Sequence, residues 1–353
     1  MPKTPTERPG RWPVRRATGA ADGPGSRRAQ RARRLWRLAI AGTVTFGLLL
    51  WWLSPFDGAA SPGGSVTITT GVRTGVYARY GELLKERLHK DEPKLNVKLL
   101  PSEGSLHNIR RLVEGKAAFT IATADAVATY LDGSGPGTTR LRACARLYDD
   151  YAQLVVPTKS TVRRTRDLAG KRVAIGQPGS GVRLIAERLL RAAGLDPAKD
   201  VVPVQVGINK MTAMLREGKI DAFFWSGGLP TSAVVQLSES YPVRLVPLGD
   251  LMDRIHESGS RHYYRAAVMP TDAYKEADNT QPVKTIAVAN LLVTTDTTKR
   301  DLTEAVTRTV IHNRDYIAEQ VHAAQRVDLR TAIYTDPLKL HEGSMRYYRS
   351  VKP

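Results

Sequence analysis

Two short stretches of this chain combine glycines and hydroxyl residues with the start of a helix. The first, VTITTGVRTGVYARYGE at residues 66–82, runs from a strand-like segment through Gly71 and Gly75 into a helical pattern. The second follows a strand-like segment at 172–176 with Gln177, Pro178, Gly179, Ser180 and Gly181 and then a long amphipathic pattern. Such a turn exposes N–H groups at a helix N-terminus, where the helix dipole adds attraction for negative charge. The chemistry on offer is the holding of an anion. In the first turn Gly71 and Gly75 let the chain turn tightly. Thr70, Thr74 and the N–H groups of Gly75, Val76 and Tyr77 then supply donors.

Bond-breaking chemistry finds no matching pattern. Gly176-x-x-Gly179-x-Gly181 is not the order of a dinucleotide turn, and no Lys-Ser/Thr follows it as in a phosphate-binding loop. No G-x-S-x-G is present for a hydrolase nucleophile. The seven histidines are dispersed without H-E-x-x-H, and one cysteine, Cys144, cannot build a thiolate zinc site. Nothing close to Cys144 in sequence lowers its pKa. No catalytic residue, metal site or cofactor is assigned, and the chain reads as a binding protein rather than an enzyme.

The elements that must position these turns alternate. A strand at 66–70 precedes a helix from about Tyr77 to His89, whose Tyr80, Leu83, Leu84 and Leu88 share one face. A strand at 96–100, a helix carrying Leu106, Ile109, Leu112 and Val113, a strand at 118–122 and a short helix at 125–131 follow. The same grammar returns after a strand at 152–157: strand 172–176, helix, strand, helix over 208–220, a strand ending at Gly227-Gly228, and a helix. Strands at 262–270 and 283–294 and helices at about 298–321 and 335–349 close the chain. This order predicts parallel strands joined by right-handed crossovers, in two similar α/β units.

Before residue 66 the chain is different. The formal net charge is +19, and residues 1–37 contribute eleven Lys/Arg against two acidic residues. The remaining charge is spread with no dense basic block, which argues against nucleic acid as a partner. The Pro/Gly/Arg/Ala-rich residues 1–34 are expected to be a disordered cytoplasmic tail. LAIAGTVTFGLLLWWL at 38–53 has no charged residue and spans about 24 Å as a helix. With its flanks it predicts a transmembrane signal-anchor at 35–56, with Trp36, Trp51 and Trp52 near the interfaces and the basic side inside. A cleaved secretory signal, cut near Gly58-Ala59-Ala60, is the other reading, and both export the body. Residues 57–65 read as a linker.

TTGVRTGVYARYGELLKERL, LPSEGSLHNIRRLVEGKAAFTIATADA, DLAGKRVAIGQPGSGVRLIAERLLRAAGL and MLREGKIDAFFWSGGLPTSAV, in this order, resemble successive signatures of the TAXI family. These are extracytoplasmic solute receptors of tripartite ATP-independent periplasmic (TRAP) transporters. The likeness spans roughly residues 65–350. It implies a type II periplasmic-binding-protein fold, with two α/β lobes and a cleft, here preceded by the anchor helix. Lobe 1 would take residues 66–150 and 258–353, and lobe 2 residues 151–257. The implied ligand is a small carboxylate-bearing solute, an amino acid or organic acid. The implied partner is a TRAP-type permease.

On this resemblance the expected ligand-binding residues extend beyond the two turns. Arg73 departs from the family's small residue and fits either a ligand carboxylate or solvent. Gly104, Ser105 and Asn108 start a second helix and fit contact or capping. Thr123, where the family often has Gln, and Asp125 follow the third strand. Trp225, Gly227 and Gly228 end a strand, with Trp225 as cleft wall or core. Tyr148 and Tyr151 flank the first crossing and fit the cleft or the core. A membrane-tethered ligand sensor with a signalling partner is the alternative function, and a hydrolytic or transferase enzyme the remote one.

Overall fold

The computed structural model describes residues 62–257 and 263–351. The tail, the anchor and most of the linker expected over residues 1–61 lie outside the described residues. Among the described residues no helix is long and apolar enough to cross a membrane.

The sheet is built twice from one plan. In the first half β1 (Gly64–Thr69) lies between β2 (Leu95–Leu100) and β3 (Phe119–Thr123), parallel to both. Helices α1 (Val76–Asp91) and α2 (Ser105–Val113) make the crossovers, and α3 (Ala124–Asp132) leaves β3. Strand β4 (Leu141–Pro157) then leads into the second half. There β5 (Arg172–Ala174) lies between β6 (Val202–Val204) and β7 (Ala222–Gly227), again parallel to both. Its crossovers are α4 (Gly181–Ala192) and α5 (Ile208–Arg216), and α6 (Ser232–Ser240) follows β7. Strands β8 (Val243–Val246) and β9 (Tyr264–Met269) precede β10 (Val283–Thr295). The chain ends in α7 (Arg300–His312), α8 (Arg314–Gln320) and α9 (Glu342–Val351).

Two long antiparallel strands join the halves. β10 pairs with β3, β4 pairs with β7, and β4 and β10 pair with each other, giving the order β2-β1-β3-β10-β4-β7-β5-β6. The result is the mixed α/β fold that the alternating pattern predicts.

The apolar faces dictate the packing. Ala78, Tyr80, Leu83, Leu84 and Leu88 of α1 are buried, and the tyrosine and leucines pack on Val66, Ile68, Val97 and Phe119 of the sheet. In the second half Ile185, Leu189 and Leu190 of α4 pack with Val173 and Phe224. Burying a side chain the size of Phe119 completely contributes about 1.5–3 kcal/mol. That fixes the strand ends from which the turns emerge.

Several elements depart from the sequence expectation, among them β8, for which no strand was expected. The strand expected at 152–157 is the end of the seventeen-residue β4. Its first part, LRACARLYDDY, is covered on both faces and so shows no alternation. The helix expected over 298–321 breaks at Asn313, whose Nδ2 donates to the Thr309 carbonyl and to Asp91 Oδ2. The last helix begins at Glu342 rather than 335. The preceding residues instead run beside β4, where Ala143 donates to the Lys339 carbonyl and His341 donates to the Ala143 carbonyl.

Candidate functional site

Five helices begin at the C-terminal ends of strands and aim their N-termini at one place. The N-cap residues of α1 to α5 are Gly75, Gly104, Thr123, Ser180 and Gly207. All five line a cavity of about 70 Å³ between the halves, room for on the order of five waters. Only Ser180 caps its helix with a side chain, accepting from the Arg183 N–H at 3.1 Å. At the start of α3 Asp125 Oδ1 accepts from the Ala126 N–H at 2.8 Å, whereas the N-cap residues of α1, α2 and α5 make no side-chain capping bond.

Glycine is required at two of these turns. Gly104 sits at φ +125°, and a Cβ there would stand 3.2 Å from Ser180 Cα across the cleft. Gly176 sits at φ +91°, with its Cβ position 2.8 Å from the Arg183 nitrogen. A side chain at either place would strain the backbone; at Gly104 it would also hold the halves apart, and at Gly176 it would collide with the start of its own helix α4.

The walls are mixed. The first half supplies Val72, Val76, Tyr77 and Ser105, with exposed Glu103 at the rim. The second supplies Gln177, Val182, Ile208, Met211, Trp225 and Ser226. Trp225 turns an apolar ring to the cavity while its Nε1 donates to Thr231 Oγ1 at 3.0 Å. Ser226 is buried, and its hydroxyl has no hydrogen-bond partner. No Lys or Arg is among the described residues that line the cavity. Nor does any group of three or more His, Cys, Asp or Glu among the described residues stand so as to hold a metal ion.

Asp150, on β4 midway between the halves, is the other acidic lining residue. A chain of side chains ends on it. Tyr77 Oη lies 3.2 Å from Ser105 Oγ and donates to Asn290 Oδ1 at 2.5 Å, and Asn290 Nδ2 donates to Asp150 Oδ1 at 2.7 Å. Burial pushes the Asp150 carboxyl up to about 7, opposed by the Asn290 hydrogen bond and reinforced by Asp125 and Asp149. Burial, with the Asp150 charge behind it, holds the Tyr77 phenol well above its ordinary range. Tyr77 is therefore a neutral donor at physiological pH.

The halves touch around the cavity. His107 N–H donates to the Gly179 carbonyl and Gln177 Nε2 to the Glu103 carbonyl, each at 3.2 Å. Thr74 Oγ1 donates to Asn209 Oδ1 at 2.5 Å. Deeper, Arg188 of α4 reaches Asp125 Oδ2 at 3.4 Å and Thr129 Oγ1 at 2.9 Å on α3, while Tyr264 Oη donates to Asp125 Oδ2 at 2.6 Å.

Of the residues expected from sequence, Gly71, Gly75, Val76, Tyr77, Gly104, Ser105, Thr123, Ser180, Gly181, Trp225 and Gly227 line this cavity. The rest stand outside it, each for a visible reason. Arg73 is exposed, and Thr74 is spent on Asn209. Thr70 is buried, with its carbonyl accepting from Ser102 Oγ and Asn108 Nδ2. Asn108 also bonds Thr69 and the Ile121 carbonyl, so its amide ties β1 to β3. Asp125 is held by Arg188 and Tyr264. Pro178 and Gly179 lie on the outer side of their turn, where Gly179 receives His107. Gly228 packs where a Cβ would meet Ala323 at 2.4 Å. Tyr148 is core, its ring centroid 5.8 Å from that of Tyr80. Tyr151 packs in the second half's apolar cluster. Cys144 is buried, which pushes its thiol up to about 12 and leaves no thiolate for chemistry.

Sequence reasoning missed Asp150, Asn290, Ser226 and Gly207. The Asp149-Asp150 pair carried a signal: in a strand, neighbours face opposite ways. Asp149 turns to Arg146 and Arg265, and Asp150 turns to the cleft.

The family model of the NMT1-like family matches residues 68–351. Among solved structures, the alkanesulfonate-binding protein SsuA from Xanthomonas axonopodis pv. citri bound to MOPS is 16% identical over 83% of this chain and 86% of that one, with a TM-score of 0.49. The periplasmic aliphatic sulphonate binding protein SsuA from Escherichia coli is 15% identical over 83% and 84%, with a TM-score of 0.40. An ancestral arginine-binding protein bound to arginine is 13% identical over 73% and 98%, with a TM-score of 0.48.

Proposed function

The chain belongs to the NMT1-like family, and on that premise we propose that it is an extracytoplasmic solute receptor. Its two lobes, joined by β4 and β10, close on a small carboxylate-bearing solute, an amino acid or organic acid. The resemblance to TAXI receptors makes a TRAP-type permease the partner that takes the solute. The fold is accordingly of the type II periplasmic-binding-protein kind, carried outside the membrane by the segment at 35–56.

One observation carries the reading: helix N-termini from both halves line one cleft cavity, to which the crossing strand β4 contributes Asp150. Partial positive charge from several directions holds an anion without a fixed cation. Closure excludes water, and those hydrogen bonds then act in a low dielectric. The ligand shifts the lobes only by the contacts it makes in the closed form and loses in the open one. Tyr77, Ser105, Thr123, Ser180 and Gly181 are the proposed contacts. The proposed role is binding and release of the solute.

Thermal-shift screening of the full chain against amino acids, dicarboxylates and neutral sugars tests this. The expected result is a concentration-dependent rise in Tm with at least one carboxylate-bearing solute. A rise with the sugars alone would defeat the carboxylate assignment.

A further inference from the structure

The cavity presents two opposed kinds of charge. Helix N-termini make part of its surface positive. Asp150 and the rim residue Glu103 make another part negative, with no Lys or Arg among the described lining residues to offset them. We infer that Asp150 is the specificity-determining residue: its carboxylate receives a protonated amine of the bound solute, whose own carboxylate lies on the helix ends. This rests on the receptor reading and narrows it from any carboxylate to a zwitterion.

The hydrogen-bond chain gives the direction. Tyr77 has one proton, and it goes to Asn290 Oδ1, so the Ser105 hydroxyl donates to Tyr77. Asn290 passes a donor to Asp150 Oδ1, and the chain ends there on an acceptor. Each link strengthens the next and favours negative charge at the terminus. Oδ2 is left without a donor from that chain.

The titratable groups facing Asp150 do not supply a cation. They are Tyr77 from α1, Asp125 from α3, and Tyr148 and Asp149 from β4 itself. The nearby cations are engaged elsewhere, Arg188 with Asp125, and Arg146 and Arg265 with Asp149. A buried carboxylate without a counter-charge is costly, so the solute is the group that completes it. The buried, unpartnered Ser226 hydroxyl, lining the same cavity, offers a further acceptor to a three-proton ammonium. A solute with a hydroxyl in place of the amine can donate one hydrogen bond but brings no counter-charge to Asp150. Because the ammonium needs the ionised form, affinity rises with pH as Asp150, whose burial places its carboxyl near 7, loses its proton.

The experiment titrates the full chain calorimetrically with matched pairs that differ only in ammonium against hydroxyl: L-alanine and lactate, L-serine and glycerate, L-glutamate and 2-hydroxyglutarate. At pH 8 at least one amino acid should bind about a hundredfold tighter than its partner, and more weakly at pH 6. Asp150→Asn should cut that preference below about tenfold and remove the pH dependence. Equal binding within the pairs, or a preference that survives in Asp150→Asn, overturns the inference. Binding of amine-free anions alone also overturns it but leaves the receptor reading standing. Binding of no small solute defeats both. The pH profile of the unaltered chain decides the matter even if the variant folds poorly.

Discussion

Asp150 shows what ionising a buried carboxyl costs the fold. Its carboxyl titrates near 7 in the fold because burial disfavours the anion, against an ordinary value of about 3.9. Between about pH 4 and 7 the folded chain therefore holds a proton that the unfolded chain has released. Stability from this group is complete below the unfolded value and is lost as pH rises through the folded one. Above the folded value, the destabilisation from ionising this buried carboxyl is on the order of 4 kcal/mol. Asp150→Asn keeps the shape and removes the charge. Its denaturation midpoint in urea should exceed that of the unaltered chain at pH 8 and converge with it near pH 4. A difference independent of pH would show that Asp150 carries no raised pKa. A Cβ at Gly181 would lie 3.2 Å from Ser105 Oγ and 3.4 Å from Thr123 Oγ1, across the closed cleft. Gly181→Val should weaken solute binding by about tenfold or more, which is about 1.4 kcal/mol. The ligand-free Tm should move by no more than about 2 °C, because the residue lies at the first turn of α4 without positive φ.

At the scale of elements, what the sequence made legible was what short segments decide. Strand, glycine turn and helix are set by neighbours in the chain, so the turns at Gly75, Gly104 and Ser180 can be placed without any tertiary contact. β4 was not legible as one strand, because long-range pairing defines it. Arg142 pairs with Asp296, Ala143 bridges to Leu340, and Asp149 meets Arg265. The floor of the site was hidden for the same reason. Asp150 takes its character from burial by distant segments, and the residue that bonds it, Asn290, is 140 residues away. Asn108 and Asp125 carried the right types for ligand contact, yet each is committed to tying elements together. Local pattern cannot separate a polar residue that holds the frame from one that faces the space within it. At the junction of elements, Arg188 links α4 to α3 through Asp125, whose side chain is 1% exposed against 23% for Arg188. Arg188→Ala leaves that carboxylate short of its cation in the closed form, while opening returns it to water. The closed form should lose about 3 kcal/mol. Small-angle scattering should show a larger radius of gyration for the ligand-free variant. An unchanged radius, with unchanged solute affinity, would remove Arg188 from the closing mechanism.

For the whole molecule, the repeated plan explains why the site lies where it does. Two parallel three-stranded units point their helix starts at one another, and the antiparallel pair β4–β10 is the shared edge between them. Under the proposed receptor reading, affinity is coupled to closure of the two halves. Everything proposed for this molecule requires a small solute held between the halves at this cavity. The decisive test is a crystal structure of the chain grown with the solute that raises its Tm most. Density should be enclosed by Tyr77, Ser105, Asp150, Gly181 and Ser226, with an anionic group on the N–H groups of α1 and α2. Solute density on another surface, with this cavity unfilled, would refute the receptor reading.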